Sequence, residues 1–508
     1  MTRADGIAEL ILGVDVGTSA VKVVAFAPGS SWRCSAQRDL EVVSPEPGHQ
    51  VQDPDALLVA LAETLAEVVQ ACGPAEVIGL SIAAAMHGLV ALDAERRPLT
   101  PLITWADTRA ADEAVELHRS GRAADLQRLT GTPVHPMSPL TKLLWFARRA
   151  PSAAAAARWW VGLKDLVLHW LTGELVTELS SASGTGLLDL ASGSWSTTAL
   201  DLVGVDPDRF PHVLPTTAVL PLAPQAAAQV GLRAGTPVVV GAADGPLANV
   251  GTGALSPGVV GLSLGTSAAA RTVIHRPDLS RLEGTAGLFC YAITDDLWVT
   301  GGALSNGGSV GRWASATLVD PRTGRTEGFD DDAVIELARQ APPGSEGLIM
   351  LPFLLNERAP LWGPDLHGAF IGLRAHHGRA HLARAAVEGV CLQVAALVDR
   401  VNAVTPVRSV RATGGVFGSG LWGPILAACL GRPLHVVDGI DGTARGAAAL
   451  GLLALGRADD IVEAIRSLGV DPESPLAAEP VDPAVATAYA ELATSVGPLI
   501  DALGRSTP

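Results

Sequence analysis

One acidic side chain stands alone in a run of uncharged residues. The segment GAADGPLANVGTGA (241–254) contains Asp244 and thirteen residues without charge, and the apolar stretch TPVVVGA leads into it. An Asp-Gly pair after an apolar strand favours a tight turn. The same segment also suits a carboxylate held at the mouth of a cleft, where it could act on a bound molecule. The segment alone leaves both interpretations open.

A tetrapeptide, Gly-Thr-Ser-Ala, occurs at residues 17–20 and again at 265–268. Both copies lie between apolar stretches, in ILGVDVGTSAVKVVAF (11–26) and in VGLSLGTSAAARTVI (260–274). Each pattern predicts a β-hairpin whose tight turn exposes hydroxyl and backbone N–H groups. Because about half the chain separates the copies, they indicate a duplicated fold.

Two such turns on opposite walls of a cleft would suit a triphosphate held from both sides. Backbone N–H groups and the hydroxyls of Thr18, Ser19 and Thr266 can bond phosphate oxygens, and glycine lets the backbone approach closely. Asp15, on the first predicted strand, is placed to hold a hydrated Mg²⁺ beside those oxygens. A glycine-rich loop, TGGVFGSG (413–420), precedes a predicted helix and would bind the base and ribose. These features predict ATP and Mg²⁺ as ligands.

The elements that position these residues alternate between strand and helix. Segment 53–72 has leucines and valines at helical spacing behind Asp and Pro start signals, and 378–401 predicts a second long helix. Segment 76–93 predicts a strand, a loop and a strand, whereas 410–431 predicts a strand, a glycine loop and a helix. Alternation in both halves predicts two α/β domains with a cleft between them.

The domain boundary is expected near residue 255. This gives an N-terminal domain of residues 1–255 and a C-terminal domain of residues 256–508. Residues 316–345, rich in Gly, Pro, Asp and Arg, predict a surface excursion. The C-terminal domain is expected to end in a helical tail from about residue 456.

Composition excludes several classes of function. The formal net charge of −16 argues against nucleic-acid binding, which needs clustered Lys and Arg. Hydrophobic residues make up 48% of the chain, as in a well-buried globular protein, and Gly and Pro interrupt its most apolar stretch too often for a membrane span. The N-terminal MTRADGIAEL lacks the pattern of a signal peptide. The five cysteines are scattered without a CxxC pair, which predicts reduced thiols in the cytoplasm.

Several motifs follow one another along the chain: GVDVGTSAVK, MHG, ITWADTR, GAADGPLANVGTGA and LPFLLNERAPLWGPDLHGAFIGL. In these motifs and their order, and over nearly the whole length to about residue 452, the chain resembles the FGGY carbohydrate kinases. The resemblance implies an ATP-dependent kinase with an α/β fold of two ribonuclease H-like (actin-like ATPase) domains and a central cleft. It also implies that Asp244 is the catalytic base, which accepts the proton of the sugar hydroxyl.

The same resemblance implies ligand contacts for residues in the matching motifs. Met86 and His87 of MHG and Trp105 of ITWADTR are implied to meet the sugar. The residues implied to contact the nucleotide and its metal are Thr18, Ser19, Lys22, Gly265 and Thr266 at the phosphates, Gly308, Arg312, Gly415 and Ser419 elsewhere on the nucleotide, and Asp15 at Mg²⁺.

The stretch GTPVHPMSPLTKLLW (131–145) resembles the gluconate kinase branch of the family in particular. This favours D-gluconate as substrate, and its carboxylate should need a cation in a chain of charge −16. Candidates in the first domain are Lys142, His135, Arg109 and His87. Lys142 is favoured because the chain has only three lysines, and a compact ammonium suits a point contact.

Two alternatives stay open. MHG stands where the gluconate branch usually has Met-His-Ser, and xylulose kinases share this feature, so a neutral ketopentose such as D-xylulose is the nearest rival substrate. An actin-like ATP-binding sensor without sugar chemistry is the more distant alternative. The expected partners are ATP and a small sugar or sugar acid, with a homodimer left open and neither nucleic acid nor a membrane involved.

Overall fold

The two Gly-Thr-Ser-Ala hairpins form the centres of two six-stranded sheets. The computed structural model describes residues 9–276, 287–319, 331–362, 366–437, 439, 441–474 and 476–504. Over these residues the strands are β1 (Glu9–Val16), β2 (Ala20–Phe26), β3 (Arg33–Asp39), β4 (Val51–Gln52), β5 (Glu76–Ala84), β6 (Val90–Leu92), β7 (Leu102–Ile103), β8 (Trp159–Val161), β9 (Val176–Glu178), β10 (Leu188–Asp189), β11 (Ser194–Trp195), β12 (His212–Leu214), β13 (Val219–Pro221), β14 (Pro237–Ala243), β15 (Val259–Leu264), β16 (Ala268–His275), β17 (Phe289–Ala292), β18 (Leu297–Leu304), β19 (Ile349–Leu351), β20 (Ala369–Ile371), β21 (Ser409–Thr413) and β22 (Leu434–Val436).

Helices cover the faces of the sheets and fill the segments between strands. Within the described residues they are α1 (Pro54–Cys72), α2 (Ala111–Arg119), α3 (Arg122–Thr130), α4 (Pro139–Arg149), α5 (Pro151–Ala156), α6 (Leu163–Thr172), α7 (Leu179–Ser183), α8 (Thr197–Val203), α9 (Pro224–Val230), α10 (Asp244–Gly251), α11 (Gly308–Leu318), α12 (Asp331–Arg339), α13 (Arg379–Val404), α14 (Trp422–Leu430), α15 (Gly442–Ala454), α16 (Ile461–Ser467) and α17 (Pro483–Gly504).

The two sheets share one arrangement. The first has the order β13-β14-β5-β1-β2-β3, and the second has the order β17-β18-β16-β15-β21-β22. In each sheet an antiparallel hairpin, β1–β2 or β15–β16, has a third antiparallel strand on one side, β3 or β18. On its other side lie two parallel strands, β5 and β14 or β21 and β22. The repeated order confirms two α/β domains of the ribonuclease H-like, actin-like ATPase type.

The strongest patterns in the sequence form the elements that they predict. Helix α1 begins behind Asp53, whose Oδ1 accepts the backbone N–H groups of Asp55 (2.9 Å) and Ala56 (3.3 Å). This side chain is the N-cap that an Asp-Pro start predicts. Leu61 and Leu65 of the same helix are fully buried in the core of the first domain. The second predicted long helix is present as α13, and the predicted strand, glycine loop and helix are present as β21, a 3₁₀ turn and α14.

Helix α13 is apolar and long enough to pass a composition test for a membrane span. In the structure 83% of its most apolar window is buried. It packs against α11, α12, α14 and strand β19, all from the second half of the chain. The helix therefore forms the centre of the second domain's core.

The predicted surface excursion over 316–345 is wrong where the structure describes its C-terminal part. Helix α12 buries Val334, Ile335 and Ala338 in the core of the second domain. Apolar residues at this helical spacing form a buried face even though polar residues flank them. Residues 320–330 of the segment lie outside the described part of the chain.

One helix from the second half of the chain packs on the first sheet. Helix α15 lies against β1 and α10, and glycines let the two helices approach closely. A Cβ on Gly251 of α10 would lie 1.9 Å from the carbonyl oxygen of Gly442, and one on Gly446 of α15 would lie 2.0 Å from that of Leu247. Helix α15 thereby fixes the helix that begins at Asp244.

Candidate active site

The chain passes from strand to helix at Asp244 without an intervening turn. Strand β14 ends at Ala243 and helix α10 begins at Asp244, so the predicted Asp-Gly turn is wrong. The strand bends earlier, at Gly241 (φ 75°), where its pairing with β5 shifts register. As the first residue of a helix, Asp244 has its carboxylate at the positive end of the helix dipole. Its Oδ1 accepts the backbone N–H of Gly245 at 2.7 Å.

A cavity of about 190 Å³ lies between the two domains, with Asp244 in its wall. The first domain lines it with Met86, His87 and Trp105, which are the residues of MHG and ITWADTR implied to meet the sugar. The structure therefore brings these three side chains and the proposed base to one enclosed space. Side chains of the second domain that complete the wall include Arg271, Phe289, Tyr291, Arg358 and Trp362.

The charges of this cavity are unevenly divided between the domains. Among the described residues that line it, Asp244 is the acid, and Arg271 and Arg358 are the two guanidinium groups. Burial raises the pKa of Asp244, and the positive charge of Arg271 opposes that rise. Burial lowers the pKa of Arg271, and it lowers that of Arg358 to about 10, so both remain cations at neutral pH. The site can therefore accept a substrate that carries negative charge.

The two histidines near the cavity are neutral. Burial lowers the pKa of His87 to about 3, and it lowers that of His135 to about 3. Nδ1 of His87 lies 2.7 Å from the carbonyl oxygen of Gly184, a contact that requires the proton on Nδ1. The His135 ring packs edge-on against Trp362, with ring centres 5.5 Å apart. Neither imidazole therefore supplies the cation that was expected to meet a carboxylate.

Trp105 links the first hairpin turn to the cavity. Its indole Nε1–H donates to the hydroxyl of Thr18 at 2.9 Å, and the guanidinium of Arg358 lies over its ring at 4.9 Å. The backbone oxygen of Thr18 accepts from the side chain of Gln52 at 2.9 Å. A residue implied to bind phosphate and one implied to bind sugar are thus in direct contact. This contact also orients the Thr18 side chain.

The structure corrects the expectation that Lys142 or Arg109 meets the substrate. Lys142 is 0% exposed, and its Nζ donates to the carbonyl oxygens of His87 (2.6 Å) and Thr104 (2.8 Å). Arg109 forms a bidentate ion pair with Asp107, with N–O distances of 2.8 and 2.7 Å. Both cations bond groups of the first domain behind the cavity wall. Lys142 instead holds in place the two loops that carry His87 and Trp105.

Asp15 fits a divalent cation. It lies on β1 opposite Lys22 in the first hairpin, and burial together with the nearby Asp244 carboxylate raises its pKa to about 7. A carboxylate whose pKa is raised by a neighbouring carboxylate is stabilised by a bound cation, and Mg²⁺ prefers oxygen ligands. The Lys22 ammonium forms an ion pair with Asp441 at the start of α15, and Arg33 approaches the same carboxylate at 3.3 Å. Lys22 therefore joins the hairpin to α15.

A second cavity of about 270 Å³ lies beside the second hairpin turn. Its walls include Gly308, Gly415 and Ser419, three of the residues implied to contact the nucleotide. The backbone N–H of Gly308 donates to the carbonyl oxygen of Gly265 at 2.7 Å, so the turn rests on the start of helix α11. The Thr266 side chain is exposed at the tip of this turn.

The remaining two residues implied to contact the nucleotide lie on different domains, Ser19 in the first hairpin turn and Arg312 on helix α11. Ser19 is exposed in the first turn, and its carbonyl oxygen accepts from the backbone of Leu40 at 2.8 Å. Arg312 is half-buried on α11, one turn from Gly308. Together with the cavity beside Gly415, this arrangement fits a nucleotide whose base lies near α14 and whose phosphates run toward the two turns.

Comparison with known proteins decides the family. Residues 10–251 match the N-terminal domain of the FGGY family of carbohydrate kinases, and residues 260–455 match its C-terminal domain. The chain belongs to the FGGY family. This FGGY kinase is an ATP-dependent sugar kinase, as its motifs imply.

Relatives of this FGGY kinase act on more than one sugar. It is 34% identical over 457 residues to a gluconokinase of Bacillus subtilis (strain 168), covering 88% of each chain. It is 32% identical over 467 residues to a xylulose kinase of Escherichia coli (strain K12), covering 91% of this chain and 93% of that one. A crystal structure of gluconate kinase from Lactobacillus acidophilus has a TM-score of 0.88 and 29% identity, covering 98% of this chain and 99% of that one.

Sequence reasoning about this FGGY kinase missed the residues that the second domain contributes to the cavity of about 190 Å³ beside Asp244, which is called the sugar cavity below. Arg271 follows the second Gly-Thr-Ser-Ala on strand β16, and Arg358 lies in the stretch LPFLLNERAPLWGPDLHGAFIGL. The sugar motifs lie in the first domain, so they pointed only to cations of that domain. A charged residue within an apolar strand was a signal for Arg271, whereas nothing in the local sequence pointed from Arg358 to this cavity.

Proposed function

We propose that this FGGY kinase transfers the γ-phosphoryl group of ATP to the primary hydroxyl of a small open-chain sugar acid, most specifically to O6 of D-gluconate. The observation that carries the proposal is the sugar cavity, in which Asp244 faces two guanidinium groups. With a neutral sugar, Asp244 is the one carboxylate among the described lining residues against two guanidinium groups, whereas a sugar acid adds a second carboxylate. The 34% identity to a gluconokinase supports the same substrate.

In this proposal each part of the site has one task. Asp244 accepts the proton of the attacking hydroxyl, which contributes roughly 10²- to 10⁴-fold to the rate. Its pKa, raised by burial, brings its basicity closer to that of the proton it must accept. Met86, His87 and Trp105 orient the sugar chain from the first domain. The glycine-lined cavity at Gly308 and Gly415 and the turn hydroxyls of Thr18, Ser19 and Thr266 bind ATP. Asp15 would hold Mg²⁺, which neutralises phosphate oxygens when bound.

Closure of the two domains would exclude water from the cavity and so limit hydrolysis of ATP. The ligand assignment requires both domains, since the sugar residues and Asp244 lie before residue 255 and the nucleotide cavity lies after it. A domain boundary near residue 255 is therefore part of the proposal. A cytoplasmic location, where ATP and sugar acids meet, is part of it too, and a homodimer stays a prediction.

The second candidate substrate is D-xylulose. The observation that favours it is the 32% identity to a xylulose kinase over 467 residues, together with the MHG sequence at 86–88. In that case the two guanidinium groups would bond hydroxyl or carbonyl oxygens of a neutral ketose. A requirement for a carboxylate on the substrate discriminates between the two candidates.

An ADP-release assay over D-gluconate, D-xylulose, D-ribulose and glycerol tests the proposal. We expect the highest kcat/KM with gluconate. A preference for xylulose would replace gluconate by the second candidate, and ADP release independent of any sugar would refute sugar kinase chemistry at this site.

The role of Asp244 has its own test. Asp244→Asn keeps the shape of the side chain but cannot accept a proton, so we expect kcat to fall by roughly 10²-fold or more while gluconate binding, measured by calorimetry, is nearly kept. Asp201→Asn, on α8 away from the cavity, is the control. A near-normal kcat in the Asp244 variant would show that Asp244 is not the base.

A further inference from the structure

Arg271 carries a guanidinium that the protein itself does not satisfy. Within the described residues it forms no hydrogen bond and no ion pair, although its side chain lines the sugar cavity. Arg358, its neighbour in the same wall, is held by its own domain: its Nε donates to Ser305 Oγ (3.2 Å) and its Nη2 to the carbonyl oxygen of Leu304 (3.0 Å). Two of the five N–H donors of Arg358 are therefore used within the protein, whereas none of the Arg271 donors has a partner in the described structure.

The surroundings of Arg271 make an unpaired state costly. Its guanidinium lies 5.9 Å from the ring centre of Phe289, and the rings of Phe289 and Tyr291 are stacked at 4.5 Å. Burial lowers the pKa of Arg271, because removing this cation from water costs free energy. Arg271 is half-buried, and a partly desolvated cation that lacks a hydrogen-bonding partner is stabilised by an anion that supplies one.

Asp244 is the acid that lines the cavity together with Arg271. They interact electrostatically, since each shifts the pKa of the other, but they form no ion pair within the described structure. A Cβ placed on Gly245, the residue after Asp244, would lie 3.0 Å from Arg271 Nη2. The Arg271 guanidinium therefore lies beside the first turn of the helix that begins at Asp244, in the wall of the same cavity.

The position of Arg271 on its strand separates it from the triphosphate. It lies four residues beyond Ser267, the end of the second hairpin turn, and a strand rises about 3.3 Å per residue. Its Cα is thus roughly 13 Å from the turn assigned to the phosphates. The side chain belongs to the sugar cavity, which includes Met86 and His87, and not to the glycine-lined cavity at Gly415.

We propose that Arg271 binds the carboxylate of the sugar acid and thereby selects acids over neutral sugars; this inference rests on the proposed function. With the primary hydroxyl at Asp244, the far end of an open six-carbon chain lies about 6 Å away, given C–C bonds of ~1.5 Å. Asp244 and Arg271 line one cavity of about 190 Å³ between the domains. The planar guanidinium can bond both oxygens of a carboxylate at once, which a lysine could not do.

The test uses two ligands that differ in the carboxylate alone. D-Gluconate and D-glucitol share one carbon chain, and D-glucitol carries a hydroxymethyl group where D-gluconate carries the acid. We expect Arg271→Met to lower kcat/KM for gluconate by roughly 10- to 100-fold. The variant should change kcat/KM for D-glucitol and KM for ATP by less than about threefold. Arg271→Lys should keep part of the gluconate preference, since lysine keeps the positive charge but lacks the planar pair of donors that bonds both carboxylate oxygens.

Arg432→Met is the matched control, because Arg432 pairs with Asp399 on the surface of the second domain. Its kinetics and thermal unfolding should equal those of the wild type. Equal losses of kcat/KM for gluconate and D-glucitol in Arg271→Met would overturn the proposal. Arg271 would then act on the phosphoryl group or stabilise the fold, and thermal unfolding of the variant distinguishes these two roles. An unchanged kcat/KM for gluconate in Arg271→Met would overturn the proposal as well. If the wild type prefers D-xylulose to gluconate, the proposed function itself fails, and that result is visible before any variant is made.

Discussion

Replacing the buried Lys142 with Met should impair every sugar substrate alike and should change how stability depends on pH. The ammonium donates to the carbonyl oxygens of His87 and Thr104, which adjoin the MHG and ITWADTR motifs. Lys142→Met leaves both acceptors buried and unpaired, at a cost of about 1–3 kcal/mol each. The two loops then lose a shared anchor, so Met86, His87 and Trp105 no longer hold one geometry. We expect similar losses of kcat/KM for gluconate and for D-glucitol.

The pH dependence follows from the pKa of Lys142, which burial lowers to about 7 while Asp107 opposes the shift. In the unfolded chain a lysine titrates near 10.4. Between these two values the unfolded state binds a proton that the folded state lacks, so this group makes the free energy of unfolding rise with pH. The neutral amine still has two N–H donors for its two carbonyl acceptors. The slope is at most about 1.4 kcal/mol per pH unit, and Lys142→Met removes it.

Urea unfolding of wild type and variant at several values between about pH 7.5 and 9 measures this difference. We expect the stability advantage of the wild type to grow by about 1 kcal/mol per pH unit across that window. Arg149→Met, an exposed change at the end of the same helix, is the control and should show no such trend. A pH-independent difference would refute the buried-amine reasoning. A loss confined to gluconate would return Lys142 to the role of carboxylate ligand.

Other variants test the nucleotide end of the cleft. Thr266→Val should raise KM for ATP by about tenfold without changing thermal stability, since its exposed hydroxyl is assigned to phosphate; an unchanged KM would contradict the assignment. Thr18→Val should weaken ATP binding and also lower the melting temperature, because the indole N–H of Trp105 loses its acceptor. Gly308→Ala should raise KM for ATP by at least as much as Thr266→Val does, because its Cβ would lie 2.8 Å from the Gly265 oxygen and displace the turn. Gly497→Ala is the control, because its Cβ would meet no atom within 4 Å, and it should leave ATP kinetics unchanged.

The fold was predictable where periodicity and repetition carried the signal. The two Gly-Thr-Ser-Ala patterns correctly predicted the hairpins at the centres of both sheets, and the Asp-Pro start correctly predicted the beginning of α1. The Asp-Gly turn at Asp244 was mispredicted because a dipeptide preference is local, whereas the close packing of α10 on α15 selects a helix there. The packing of α15 on the first sheet was not predictable at all. It depends on contacts between residues far apart in the chain, such as Gly13 with Ala444 and Gly251 with Gly442, and such contacts leave no periodic pattern in the sequence.

The site was predictable in its location and less so in its charges. The scarcity of lysine drew attention to Lys142 and Lys164, which are both buried in the structure, Lys164 in an ion pair with the buried Glu178 at 2.8 Å. That scarcity could not say whether the lysine meets a ligand or a carbonyl oxygen. Only the folded arrangement shows that Lys142 serves two loops.

Arg271, like Asp244, is a charged residue next to a long uncharged run of the chain, and together the two residues indicate where the substrate binds. Residues 245–270 contain no charged side chain, so an acid and a base bracket one long uncharged run. In the first copy of the hairpin the position that matches Arg271 is Val23, which is fully buried in the core of its sheet. A duplicated strand that exchanges a buried valine for an arginine needs a compensating anion. The fold places that arginine in one cavity with Asp244, and a sugar acid whose carboxylate lies at one end and whose reacting hydroxyl lies at the other would bond both.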